Sequence, residues 1–426
     1  MELNRLTATQ ALEAIRLNKL SVESYARSLL SRIENRDSTV KAWAHLNTEL
    51  VLQRARELDQ VPVGQRGPLH GVAIGVKDVI YTKDMPTEHN SPIYKDSLVP
   101  VDAASIAILR AAGALILGPA TTNPHSSDPI RTPGGSSSGS AAAVADFQVP
   151  LSLGTQTGGS TIRPGSFNGI YALKPTWGVV SREGQKVYSL SLDTIGIFGR
   201  SVEDLRLLSG VLGIKDDEVP QFKDLKGAKF GVVKGPVWNQ AGKGTLDAME
   251  KAQTLLKSHG ATIEEVALPP DFQNMPDWHA KIMAADGRVA FLSEYRTDKS
   301  KLQGFLIGHV ENVKGYTHAQ ELAAFDGVAS LRPVIDGIAN RYDALLTPSV
   351  PDEAPLGIES TGSAAFNGMW TALHVPVVNI PGFKGENGLP VGVSLVAARH
   401  RDEHLLAVAE EVGKVFGEEG GWKSAL

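Results

Sequence analysis

Residues 133–164 read PGGSSSGSAAAVADFQVPLSLGTQTGGSTIRP, two Gly/Ser clusters joined by an alanine-rich segment and a short apolar run. Glycine permits tight turns that leave backbone N–H groups exposed, and serine is a potential nucleophile. One such cluster is ordinary loop composition. Two in succession, downstream of Val76-Lys77-Asp78, have the makings of catalytic machinery. Nucleophilic catalysis at a carbonyl needs a nucleophile, a base that later acts as an acid, and donors for an oxyanion. Thr157-Gly158-Gly159-Ser160 can supply the first and third together, because two glycines let the chain turn sharply beside the Ser160 hydroxyl.

Outward from this stretch, short apolar runs alternate with amphipathic segments. Strands are expected at 72–76, 114–117, 230–233, 262–267, 344–347 and 391–396. Helices are expected at 103–112, 245–259 and 402–416, with Gly113 and Gly260 as stops for the first two. Thr7 with Gln10 forms a capping box for a helix through residue 20. Ser21 opens a second helix that places Val22, Tyr25, Ala26, Leu29, Leu30 and Ile33 on one face. Residues 58–70 read as loop. Apolar strands between helices predict an α/β fold, with a mostly parallel or mixed sheet covered on both faces. Lys77 then stands at a strand end, where open α/β sheets place functional groups.

The chain has 426 residues and a formal charge of −5, with no basic run, so nucleic acid and anionic membrane are poor partners. The first residues lack a signal-peptide core, and the longest apolar candidate, 103–118, is interrupted by Arg110 and Gly113 and is too short to span a bilayer. The absence of cysteine excludes disulfides, thiol catalysis and Cys–zinc sites. The 11 histidines show no metal-ligand spacing. No metal, cofactor or membrane is expected, and a cytoplasmic enzyme is the simplest reading.

The blocks GVAIGVKD at 71–78, TPGGSSSGSAAAVA at 132–145, GTQTGGSTIRPGSFNGIYALKPTWG at 154–178 and SLDTIGIFGRSVEDL at 191–205 stand in the order of one family. A late block, from FNGMWTALHVPVVNIPG through GLPVGVSLVA to DEHLLAVAEE, continues the match. In these blocks the chain resembles the amidase signature family of serine hydrolases. The resemblance implies one domain over residues 1–426, built on a large twisted mixed sheet. Residues 1–60 would form helices packed outside, 65–210 the core with the catalytic residues, and 211–426 the rest of the sheet, the pocket wall and a closing helix. It implies Ser160 as acylating nucleophile, Ser136 as the proton bridge after a cis Gly135–Ser136 peptide, and Lys77 as general base. The separation of 24 positions (160 − 136) between the two serines is the family's. Residues Thr157, Gly158, Gly159 and Ser160 would form the oxyanion hole. A homodimer acting on a small-molecule amide is the implied assembly.

Two positions depart from the commonest form of the family. Gln156 stands where Asp is usual, removing a negative charge beside the nucleophile loop. The usual arginine stands three residues after the nucleophile, at Arg163, and GTQTGGS with x-I-R-P resembles a malonamidase-like branch in which that arginine pairs with a substrate carboxylate. Both Gln156 and Arg163 are therefore candidate substrate contacts. The alternative for Arg163 is a brace tying the loop to backbone carbonyls. Asp193 and Thr194 read as scaffold around the site, and Trp370 as core.

Other readings compete. Residues 135–139, GSSSG, satisfy the G-x-S-x-G elbow of α/β-hydrolases with Ser137 as nucleophile, yet HSSDPIRTP upstream lacks the apolar strand that elbow requires. Neither dinucleotide nor P-loop phosphate motifs are present. Within the resemblance, the main expectation is hydrolysis of a small carboxamide. The alternatives are an A-type subunit of glutamyl-tRNA amidotransferase and a catalytically silent scaffold.

Overall fold

The computed structural model describes residues 2–121 and 130–425. Ten strands among them are β1 (Ala73–Lys77), β2 (Leu115–Ala120), β3 (Leu151–Gln156), β4 (Tyr171–Lys174), β5 (Thr194–Gly199), β6 (Lys229–Val232), β7 (Thr262–Glu265), β8 (Ala344–Pro348), β9 (Val377–Lys384) and β10 (Pro390–Val396). They form one sheet in the order β2-β1-β3-β5-β4-β9-β10-β8-β6-β7. At one end β1 runs parallel to both β2 and β3, and at the other β6 runs parallel to β7 and β8. The strands between are antiparallel. This is the mixed, covered sheet of the expected α/β class.

Alternation along the strands divides the apolar side chains between two faces. Ile74 and Val76 of β1 belong to the core on one face, while Ala73, Leu115 and Leu117 belong to the other. That second face is covered by the helix Val22–Val40, which buries Val22, Tyr25, Ala26, Leu29, Leu30 and Ile33 as the sequence pattern predicts. Each fully buried side chain of this size contributes about 1.5–3 kcal/mol. The Thr7–Gln10 capping box forms, but its helix ends at Arg16, short of residue 20, and Asn18 turns the chain with φ of 53°. The opposite face is covered by the helices Ala104–Ala111, Val202–Val211, Lys243–Ser258 and Asp402–Glu419.

Some elements escape the pattern reading. The helix Thr48–Asp59 enters a stretch expected to begin a loop at 58. A helical layer made by Met275–Ala290, Leu292–Asp298, Gly304–Val310 and His318–Ala339 packs outside the sheet, and its longest member begins with a second Thr–Gln capping box at Thr317 and Gln320. No helix among the described residues is long and apolar enough to cross a membrane.

For the site, the decisive feature is the pairing of β1 with β3. They are parallel neighbours, with Val76 opposite Leu153, so Lys77 and the residues just before the nucleophile loop emerge at the same edge of the sheet.

Candidate active site

Lys77 is the last residue of β1 and is only 2 % exposed. Its Nζ lies 2.7 Å from Ser136 Oγ and 2.7 Å from Thr155 Oγ1. Burial pushes the ammonium from 10.5 down to about 7; the Arg163 charge adds to this, and the carboxylates of Asp193 and Asp78 oppose it. A neutral amine beside two hydroxyls is thus available near neutral pH. The neighbouring Asp78 turns its carboxylate to backbone N–H groups. Its carboxylate accepts from the N–H groups of Glu88 (2.8 Å) and Asn90 (3.1 Å), and burial raises its pKa to about 6.

Ser136 follows a cis Gly135–Ser136 peptide and is exposed at the loop surface. Ser137, in contrast, is fully buried. Its hydroxyl donates to the Thr155 carbonyl and accepts from the Thr155 N–H, both at 3.0 Å, stitching the serine loop to the end of β3. The following helix, Ser138–Ala145, is anchored by Ser140, which donates to the Leu153 carbonyl. A hydroxyl locked between two backbone groups cannot serve as an exposed nucleophile, so the elbow reading fails at Ser137. No strand is described over 130–137, and 125–129 of the upstream segment lie outside the described residues.

The loop after β3 carries Ser160, which is partly exposed. Among the described residues its hydroxyl has no hydrogen-bond partner, so the Lys77–Ser136 contact is not extended by a Ser136–Ser160 bond. The N–H groups of Gly158, Gly159 and Ser160 likewise donate to no acceptor among the described residues. Three successive free donors beside a free hydroxyl have the chemistry of an oxyanion site. A Cβ added at Gly159 would lie 2.4 Å from Asn367 Oδ1, so any larger residue there would force the Asn367 side chain to shift.

The two candidate substrate contacts are engaged with the protein itself. Gln156 is fully buried: Oε1 accepts from the N–H groups of Thr161 (2.9 Å) and Ile162 (3.0 Å), and Nε2 donates to Thr371 Oγ1 (3.0 Å). Arg163, 6 % exposed, donates to the Gly362 carbonyl (2.7 Å), Thr361 Oγ1 (3.0 Å) and the Gly135 carbonyl. Both terminal nitrogens are engaged, on two backbone carbonyls and one threonine hydroxyl, and Nε is buried without a partner, so this geometry is a brace between the serine loop and the 361–362 segment. It does not leave a free clamp for a carboxylate.

Lys77, Ser136, Thr155, Thr157 and Asp193 line one end of a cavity of about 560 Å³. Its far walls include Tyr94, Tyr188, Phe291, Phe305 and Leu306. Asp193 is buried at 2 % exposure; it accepts from the Thr157 hydroxyl and from the N–H groups of Tyr188 (2.7 Å) and Ser189 (3.2 Å). Thr157 thus turns its side chain to Asp193, the residue read from sequence as scaffold. Glu294 accepts from Tyr94 Oη at 2.6 Å and pairs with Lys186. A larger groove of about 750 Å³, formed by 216–228, Asp343 and 399–404, contains none of the three candidate catalytic residues, whereas the 560 Å³ cavity is lined by Lys77 and Ser136 but not by Ser160. Among the described residues no cluster of three or more His, Asp or Glu could hold a metal ion.

Pattern reading did not find Thr155 as the second neighbour of Lys77, nor Thr371 and His279 behind the nucleophile loop. Thr155 sits in the quoted motif, and only the pairing of β1 with β3 turns it toward the lysine.

Known proteins resemble this chain over most of its length. The family model for amidases matches residues 25–406. The chain is 31 % identical over 473 residues to the A-type subunit of the glutamyl-tRNA(Gln) amidotransferase of Carboxydothermus hydrogenoformans, covering 96 % of this chain and 97 % of that one. The corresponding subunit of Symbiobacterium thermophilum is 33 % identical, over 95 % and 96 %. A solved amidase structure superposes with a TM-score of 0.86 at 26 % identity, covering 96 % of this chain and 99 % of that one. With the family match running from the second helix to the closing one, this chain belongs to the amidase family.

Proposed function

We propose that the chain is an amidohydrolase that cleaves the C–N bond of a small carboxamide through a seryl acyl-enzyme. The observation that carries this reading is the 2.7 Å contact of Lys77 Nζ with Ser136 Oγ, at a lysine whose burial brings its pKa to about 7. Neutral Lys77 takes the Ser136 proton while Ser136 takes the proton of Ser160, whose oxygen attacks the amide carbonyl. The free N–H groups of 158–160 receive the developing oxyanion. The proton returns through Ser136 to the leaving nitrogen, which departs as ammonia or an amine. Water then repeats the cycle on the ester. The Ser136–Ser160 bond, not made in this structure, closes when substrate fills the site.

The cavity walls favour a neutral amide with an apolar acyl part. Its volume of about 560 Å³ suits a small organic molecule. Each lysine on its wall has a local partner: Lys77 the two hydroxyls, Lys186 the Glu294 carboxylate, and Lys301 the Asp298 carboxylate at 3.4 Å. With Arg163 closed as well, a substrate carboxylate would find no unpaired cation there among the described residues.

A second reading rests on the relatives' names: an A-type subunit of glutamyl-tRNA(Gln) amidotransferase, working with partner subunits. One experiment separates the two. The isolated chain is assayed for ammonia release on a panel of aliphatic and aryl amides, with and without a free carboxylate, glutamine included. Turnover of neutral amides by the isolated chain is the expected result. Release of ammonia from glutamine only, and only with partner subunits present, would replace the hydrolase reading by the second one.

A further inference from the structure

Why three successive N–H groups of the 157–160 loop stay free is answered on the far side of the loop. In a trans peptide the C=O and the N–H of the next residue point in opposite directions, so fixing the oxygen aims the hydrogen. All three relevant oxygens are fixed. Thr157 O is 3.0 Å from His279 Nε2, Gly158 O is 2.7 Å from Thr371 Oγ1, and Gly159 O accepts from the Arg163 N–H at 3.0 Å. The third bond belongs to the start of the helix Ile162–Phe167 and needs no explanation. The first two come from elements remote in sequence.

We propose that His279 and Thr371 are positioning residues of the oxyanion loop, holding the carbonyls of Thr157 and Gly158 from behind so that the N–H groups of Gly158 and Gly159 face the substrate. The inference rests on the seryl acyl-enzyme reading above and says which side chains preorganise its oxyanion site.

The donor directions support it. A carbonyl oxygen only accepts, so His279 Nε2 carries the hydrogen. Burial lowers the imidazole pKa, and protonation at Nδ1 would leave the same Nε2–H in place, so this clamp does not depend on pH. Thr371 has one hydroxyl hydrogen and two acceptors in range, Gly158 O at 2.7 Å and Asn367 O at 3.1 Å. Gln156 Nε2 donates into the Thr371 oxygen at 3.0 Å, and the shorter contact makes Gly158 O the preferred acceptor. An aspartate at 156, the commoner residue of the family, has no hydrogen to give to Thr371. Gln156 therefore extends the clamp by one link, from β3 through Thr371 to Gly158.

The two clamps also sit on one packed unit. His279 lies on the helix Met275–Ala290 and Thr371 on the helix Ala365–Ala372. They meet where Gly368 faces the imidazole, and an added Cβ at Gly368 would come within 3.1 Å of His279 Nδ1. The loop's aim is thus set by the helical layer outside the sheet, whereas Lys77 is set by the sheet itself.

The test measures the rate at which a fluorophosphonate labels Ser160, together with the melting temperature, in the full chain and in His279→Gln, His279→Asn, His279→Leu and Thr371→Val. Glutamine places an amide N–H near the position of Nε2, asparagine only near Nδ1, and leucine offers no donor. His279→Leu, His279→Asn and Thr371→Val should label roughly tenfold to a hundredfold more slowly, with His279→Gln within about threefold of the parent. Labelling of His279→Leu at the parent rate, or of His279→Gln as slowly as His279→Asn, would overturn the inference. Should His279→Leu fail to fold, the Gln–Asn contrast and Thr371→Val decide it. A parent chain that is not labelled at Ser160 at all would instead bring down the acyl-enzyme reading, and this inference with it.

Discussion

Two lysines end two strands of the same sheet, and burial lowers the pKa of both from the usual 10.5, to about 7 at Lys77. Lys77, at the end of β1, faces the hydroxyls of Ser136 and Thr155 at the edge of a cavity. Lys174, at the end of β4, donates to the Pro175 carbonyl at 2.7 Å, with the charge of Asp402 behind it. That carboxylate is itself held by the N–H and hydroxyl of Thr176. A hydroxyl has a proton to give up, whereas a carbonyl has none. Lys77 can therefore act as a base toward its neighbours and Lys174 can only donate. Desolvation favours the neutral amine in both places, and the neighbouring groups decide whether that becomes chemistry.

Substitutions at four positions would sharpen or break this contrast. Ser160→Ala removes the nucleophile, and amide turnover should fall about a millionfold with the melting temperature held. Lys77→Ala should lower kcat by roughly 10²–10⁴-fold, and Lys77→Arg should not restore it because a guanidinium stays protonated. Near-normal kcat in Lys77→Arg would end the general-base role. Arg163→Ala strands the carbonyls of Gly135 and Gly362, at about 1–3 kcal/mol for each one left dry. It should lower the melting temperature and reduce kcat/KM equally for acidic and neutral amides of the same size. A loss confined to acidic amides would restore the carboxylate clamp that the closed fork argues against. Lys174→Met should cost about 1–3 kcal/mol of stability through the unpaired Pro175 carbonyl, while kcat of the folded protein stays within about threefold. A collapse of kcat in that variant would erase the distinction between the two lysines.

Much of this was legible in the sequence where local signals exist. Continuous apolar runs reveal β1, β8 and β10, and the Gly/Ser clusters reveal both serine loops. β3 and β5 read LSLGTQ and TIGIFG, whose glycines and hydroxyls dilute the strand signal although both are wholly buried. The helix His318–Ala339 carries the same Thr–Gln box that opens the first helix, so its start was readable from residues 317–320. Other features have no local trace. Arg163 reads equally as clamp or brace until the 361–362 segment is seen lying against it. His279 stands 122 residues from Thr157, and Thr371 stands 213 from Gly158. Such contacts are created by packing alone, and no spacing within one segment announces them.

The central claim is that Lys77 works as a neutral amine through Ser136 on Ser160. Its most direct test is the pH dependence of Ser160 phosphonylation in the parent chain and in Lys77→Ala. Because burial lowers the Lys77 pKa, the reactive neutral form is lost as pH falls through about 7 and gained as pH rises through it. The parent rate should therefore climb across neutrality to a plateau, and the residual rate of Lys77→Ala should lack that limb. A parent profile that is flat through neutrality, or a rising limb that survives in Lys77→Ala, would contradict the account.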